Sequence, residues 1–309
     1  MLWFILAVAS YAFFALSSIG DKYLLSGSLP HPVTYAFYVG LLGGLVLFLT
    51  PFLGFPVPAP GAAALALAAG AIFIGALIVY YRGVLRYEVS SIDTAIGGLL
   101  PFMTLAASVM IFPNVMPGVP QIVAFILFIG ASIVATAESV RAIISRGLMN
   151  AFFAAVLFAA YFVLMKAAYL AQPFWSGFLW MRLGALATAL VLFTASPRLR
   201  RDAREHAPSG VGGRGSFLAT AAVLGNQGLG AAGAVLQNIA VAVVPPLALA
   251  FVNALQGVQY VFVIVFAALF SRFAPSIIHE SHTRRVIIQR TLAALLILAG
   301  TVVLVAAQR

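Results

Sequence analysis

The side chains here that could do chemistry are mostly amides, and they crowd into one stretch. Between Gly225 and Tyr260, Asn226, Gln227, Gln237, Asn238, Asn253, Gln256 and Gln259 stand among Ala, Val, Leu, Gly and Phe. An amide turned toward hydrocarbon loses its hydrogen bonds to water and gains none, so these groups must face other helices or a water-filled space. The stretch reads as two membrane-spanning helices joined by a Pro245-Pro246 turn. Asn253, Gln256 and Tyr260 fall at i, i+3 and i+7, one face of one helix. That face reads as the wall of a polar cavity inside a helical membrane protein.

Three charged residues stand at membrane depth. A cation at mid-bilayer costs roughly 2.5–3.5 kcal/mol on insertion scales, so Lys166 and Arg182 should face a cavity or reach an interface. Lys166, near its helix end, can also extend its stem toward the interface. Together the two could supply positive potential for an anionic or zwitterionic substrate. Asp93 is either a helix-start carboxylate paired with Arg82 or Arg86, or a proton-binding group that couples transport to a gradient. Tyr11, Tyr161 and Trp180 are aromatic candidates for lining a site, although most aromatics in a bundle serve packing.

Enzyme chemistry is not expected. The sequence has no HExxH, no GxSxG and no clustered carboxylates, and no histidine falls in an apolar run, so no catalytic residue is assigned. Gly228-Leu229-Gly230-Ala231-Ala232-Gly233 spells GxGxxG, but within an apolar helix and without the strand and acid that a dinucleotide site needs. It reads as a close-packing helix face, and no cofactor is implied. His279, Glu280 and His282 lack a fourth ligand and read as a solvated loop rather than a metal site.

The elements that must position these groups follow from composition. The chain is 63% hydrophobic and 8% charged over 309 residues, too little charge for the surface of a soluble domain. The net charge of +10 does not imply a nucleic-acid partner, because the basic residues flank apolar runs. Zero cysteines exclude disulfides and thiolate metal sites. Residues 1–20 lack the basic start and cleavage site of a signal peptide and read as the first helix.

Apolar runs predict helices near 2–22, 33–53, 61–82, 92–112, 120–138, 148–170, 174–195, 216–240, 246–270 and 286–307. The expected class is an all-α polytopic membrane protein of about ten transmembrane helices, forming a single integral membrane domain. Pro-rich breaks separate most runs. The longer, charged connection 196–215 reads as a mobile solvated loop. Of the 17 Lys and Arg, all but Lys166, Arg182 and Arg309 fall on one side if ten helices alternate, which puts both termini outside.

The two halves also resemble each other. At an offset of 144, Phe14 meets Phe158, Lys22 meets Lys166, Gly40 meets Gly184 and Thr50 meets Thr194. At 155, Gly70 meets Gly225 and Gly75 meets Gly230; at 170, Ala124 meets Ala294 and Gly130 meets Gly300. The offset grows only across the two long charged connections, 196–215 and 271–285. The series predicts a five-plus-five inverted repeat, residues 1–147 and 148–309, and such repeats with a site at their interface mark secondary transporters.

Lys22 and Lys166 near the ends of the first and sixth helices, Arg182 in the seventh, Tyr80 to Leu85 followed by Leu99-Leu100-Pro101-Phe102, and Leu292 to Val305 carry a family resemblance. With these residues the chain resembles the drug/metabolite transporter superfamily, in its EamA-like ten-helix branch. The resemblance implies a multi-pass protein of a bacterial-type plasma or inner membrane.

Amides, repeat and resemblance together predict a secondary transporter, a permease or exporter of small polar metabolites such as amino acids. Asn226, Asn253 and Gln256 would hold the substrate at mid-membrane while the repeats rock around it. The partners expected are a small-molecule substrate and the lipid bilayer, and the Gly-rich faces leave a homodimer open. The rival readings are a non-transporting scaffold knitted by its amides, and a flippase of lipid-linked intermediates with the same fold.

Overall fold

Long runs of Ala, Leu, Val and Phe offer the backbone no hydrogen-bond partner except itself, and helix is the form in which a single segment satisfies its own N–H and C=O groups. The computed structural model describes residues 2–24, 32–86, 89–112, 116–136, 148–205, 214–273 and 284–306, and all secondary structure among them is helical. In order these are α1 (Leu2–Leu24), α2 (Pro32–Gly43), a 3-10 segment (Gly44–Leu49), α3 (Thr50–Leu53), α4 (Pro60–Arg86), α5 (Val89–Ile111) and α6 (Val119–Thr136). Then come α7 (Leu148–Ala171), α8 (Phe174–Ala195), α9 (Pro197–Glu205), α10 (Arg214–Val243), a 3-10 turn (Pro246–Ala248), α11 (Leu249–Ala254), α12 (Gln256–Phe273) and α13 (Arg284–Ala306).

Six stretches among the described residues are long and apolar enough to cross a membrane: Leu2–Ile19, Pro32–Leu53, Pro60–Arg86, Leu148–Ala171, Phe174–Ala195 and Pro246–Val263. Shorter apolar helices run over Ala95–Ile111, Val119–Ala131 and Thr291–Val303. The chain is thus an all-helical protein of membrane-spanning character. Its packing suits a protein in lipid: alanines bring helices together inside, and many large apolar side chains lie on the outer surface. Ala7, Ala15, Ala66, Ala69, Ala154 and Ala189 are fully buried, whereas Phe52 is 84% and Met110 85% exposed.

The helices gather into two compact units that interleave along the chain. One holds Met1–Leu29, Asn114–Ser139 and Gly210–Arg309; the other holds Pro30–Pro113 and Val140–Ser209. In the first, α1 packs on α10 and α12, and α6 packs on α13 and α12. In the second, α4 packs on α7, α8 and α2, while α5 packs on α7 and α2 on α8. Each unit therefore draws helices from both sequence halves.

Two expectations are corrected. The connection after Ser196 is helical in its first nine residues, forming α9. Ser196 caps it, its Oγ accepting from Leu199 N at 3.2 Å, and Leu199 is buried with Phe37 and Ala189. One apolar side chain and a cap suffice to order a segment whose composition reads as solvated. The second correction is in the run 246–270, which is not one helix: it breaks at Leu255, between α11 and α12.

α4 and α8 cross with their backbones in close approach. A Cβ on Gly70 would meet Met181 O and lie 2.6 Å from Ala185 N; one on Gly184 would meet Leu67 O and lie 2.7 Å from Leu67 Cα. Neither backbone can yield without separating the helices. The GxGxxG stretch also packs: Gly233 sits against Phe14 and Ser10 O, and Gly230 against Ser17.

Gly70→Ala and Gly184→Ala are each expected to lower stability by about 1–3 kcal/mol or more through overpacking. Gly75→Ala, which meets open space, is expected to be neutral or to gain up to about 1 kcal/mol from helix propensity. Thermal unfolding of the three variants in one detergent tests this, and equal Tm values for all three would remove the crossing from the account.

Candidate functional site

In the first unit Tyr11 bonds the backbone at the break at Leu255, where Asn253 and Gln256 stand on either side. Residue 255 belongs to neither helix: its N–H reaches back to Phe251 O at 3.0 Å, and Val258 N bonds Leu255 O at 2.9 Å, a tighter turn than the α-helix makes. Its backbone, at φ −71° and ψ 0°, lies toward the sparsely populated bridge region. The regular ladder is interrupted at the step where Gln256 N–H would bond Val252 O. That carbonyl instead accepts the Tyr11 hydroxyl at 2.8 Å. Tyr11, buried in α1, also shares a side-chain hydrogen bond with Gln237 of α10.

Asn253 is fully buried just before the break, and Gln256, half-buried, opens the next helix. The two therefore flank a discontinuity rather than share one regular helical face, because a non-helical residue between them changes their rotation about the axis. Tyr260, the third member of the expected face, has its side chain outside the described residues.

The other amides divide. Asn226 is buried in α10, and its backbone carbonyl accepts Ser17 Oγ at 3.4 Å. Asn238 donates to Ala234 O of its own helix at 2.8 Å. Gln227 is exposed. Successive contacts pair Ser17 with Asn226 and Gly230, Phe14 with Gly233, and Tyr11 with Gln237, so α1 and α10 run antiparallel along this polar seam.

The second unit holds the cations. Arg182 lies half-buried on α8 with its Cζ 5.0 Å from the centroid of the Phe178 ring, a cation–π contact. The stack continues through Phe174, 5.6 Å from Phe178, to Tyr169, 5.3 Å from Phe174. This ring stack joins the end of α7 to α8. Tyr161 is buried against Phe73 of α4, ring centroids 4.9 Å apart. Lys166 is 2% exposed, so it is held within the protein and its ammonium does not extend to the surface.

Trp180 has a different neighbourhood from Arg182. Two residues apart on a helix is about 200° of rotation, so they occupy different faces. The Trp180 indole N–H donates to Pro56 O at 2.9 Å, and Trp175 donates to Gly54 O at 3.0 Å, which pins the Pro-rich connection before α4. Asp93 lies on α5, but its side chain, like the whole of the His279-Glu280-His282 triplet, falls outside the described residues.

Sequence reasoning passed over Tyr169 and did not distinguish Gln237 from the other amides. Tyr169 follows Tyr161 by eight residues and precedes Phe174 by five, a spacing that suggests a shared surface only once the turn at Gln172 and Pro173 is folded. Gln172 secures that turn, donating to Ala62 O at 2.9 Å and accepting from Ser176 Oγ at 2.7 Å.

A solved structure described simply as a crystal structure of a protein is similar to this chain over 96% of its residues and 97% of its own. The TM-score is 0.62 at 15% identity, a likeness of fold alone. No family model and no curated protein matches the chain.

Tyr11→Phe removes the donor to Val252 O and is expected to cost about 1–3 kcal/mol, read as a lower Tm. An unchanged Tm would mean that the carbonyl finds another partner.

Proposed function

We propose that the chain is a secondary transporter of small polar metabolites such as amino acids, of the EamA-like kind it resembles. The observation that carries this reading is the helix broken at Leu255, with Asn253 and Gln256 on either side and Tyr11 holding the released carbonyl. Transporters commonly build midplane sites from interrupted helices, because the freed backbone and side-chain polar groups there can exchange partners with a solute. Amides suit an uncharged or zwitterionic ligand, offering donors and acceptors without a fixed charge.

The internal pairings support the five-plus-five repeat that alternating access requires. Under the exchange of first and sixth, third and eighth, and fourth and ninth predicted helices, the packing of α1 on α10 and α12 corresponds to that of α7 on α4 and α5. At the offset of 144, Ser17 corresponds to Tyr161; each meets the partner helix its counterpart predicts, α10 for Ser17 and α4 for Tyr161. Pro101 withholds a backbone N–H within the continuous helix α5, and at the offset of 155 it corresponds to Gln256, the residue after the break.

Asn253→Leu/Gln256→Leu is expected to abolish solute uptake in proteoliposomes while leaving folded protein in the membrane. A solute that raises the Tm of the wild type, but not of the double variant, would name the substrate class. Full transport by the variant would remove this site. A lower Tm with no solute-dependent shift in either protein would favour amides that only knit helices in a non-transporting scaffold.

A further inference from the structure

The second unit is electrically and chemically different at its two ends. Gln172 joins the start of α4 to the turn between α7 and α8, and the crossing at Gly70 and Gly184 lies farther along both helices, so α4 and α8 run parallel. Their C-terminal ends therefore lie together. Arg82 and Arg86 end α4, and Arg198, Arg200 and Arg201 follow α8; all five are exposed. The opposite end carries Trp175 and Trp180 on the Pro-rich connection, with no charged residue among Thr50–Ala62 or Gln172–Trp180.

At the arginine end, α9 is not free to turn. Ser196 caps it, Leu199 is 2% exposed in a cluster with Phe37 and Ala189, and Thr34 Oγ1 donates to Asp202 Oδ2 at 3.4 Å. Leu199 and Asp202, three residues apart, thus share the face turned to α2 and α8. Arg200, about 100° around from Leu199, is held on the outward side. Arg198 is exposed beside the first turn. The helix follows directly on a span of membrane length, so these guanidinium groups stand where headgroups would lie.

We propose that α9 is a fixed platform for anionic phospholipid headgroups, with Arg198 and Arg200 binding the phosphates and Leu199 anchoring the helix. Guanidinium is the cation best shaped for this, since its fork donates to two phosphate oxygens at once. A segment already ordered by its own protein loses little further entropy when lipid binds, unlike a flexible basic tail. The anionic leaflet then stabilises the end of the unit where α2, α4 and α8 meet. This holds whether or not the chain transports a solute.

The test uses the full-length protein in nanodiscs of phosphatidylcholine alone or mixed with phosphatidylglycerol. Phosphatidylglycerol should raise the wild-type Tm. In R198Q/R200Q that increment should fall by at least half, with the Tm in phosphatidylcholine unchanged, and R198K/R200K should recover part of it. High salt should shrink the wild-type increment. Equal increments in wild type and R198Q/R200Q would overturn the proposal. So would inorganic phosphate, added to phosphatidylcholine discs, reproducing the whole shift, because the ligand would then be a free anion. If R198Q/R200Q already melts lower in phosphatidylcholine, the arginines serve the fold, and the proposal fails unless R198K/R200K restores the lipid increment.

Discussion

Every backbone carbonyl withdrawn from water must find a donor, and in an apolar chain donors are scarce. That constraint explains which side chains matter in this structure. Uninterrupted helices meet it internally. Where the helical ladder stops, a polar side chain from elsewhere in the same unit takes over: Tyr11 at Val252 O, Trp175 at Gly54 O and Trp180 at Pro56 O. The alternating prolines of Pro56, Pro58 and Pro60 remove N–H groups from one such stretch, and the two indoles supply the missing donors.

The same scarcity shapes the interior. Without a hydrophobic force to separate helix from lipid, helices associate through close contact, and close contact requires small residues. Gly70 and Gly184 bring two backbones together where any Cβ would collide, and a run of buried alanines extends that fit. Large apolar side chains fill the remaining interior, as Phe128, Ile74 and Met165 do, or lie on the outer surface, as Phe52 and Met110 do. Polar side chains in such an interior stand out because so few positions can accommodate them. The cluster of Tyr11, Gln237 and Asn253 gathers where a helix is broken, which is where polar groups can change partners at least cost.

Membrane character, helical class and the positions of most helices were legible in the sequence, because an apolar run of membrane length allows the backbone few other solutions. The amide-rich stretch was legible only in part: Asn226, Asn238 and Asn253 are buried, whereas Gln227 is exposed. GxGxxG could be read as helix packing from context, and Gly230 and Gly233 do pack on α1. The break at Leu255 was not legible, because no proline or glycine occupies the position itself and its geometry depends on a tyrosine 241 residues away. Nor was α9, whose composition favours solvent and whose order rests on Leu199 finding a pocket of Phe37 and Ala189.

The sequence by itself determined where most of the chain must be helical and which polar side chains are costly to turn toward lipid, since both follow from local composition and from the cost of exposing polar groups to hydrocarbon. Tertiary structure decided which of those side chains meet. It distributed the helices between two units without regard to the sequence halves, assigned Asn238 to its own helix and Tyr11 to another, and set Arg182 on an aromatic stack apart from the Trp180 face. These outcomes depend on which surfaces can approach closely, and that is a property of paired shapes rather than of any single segment.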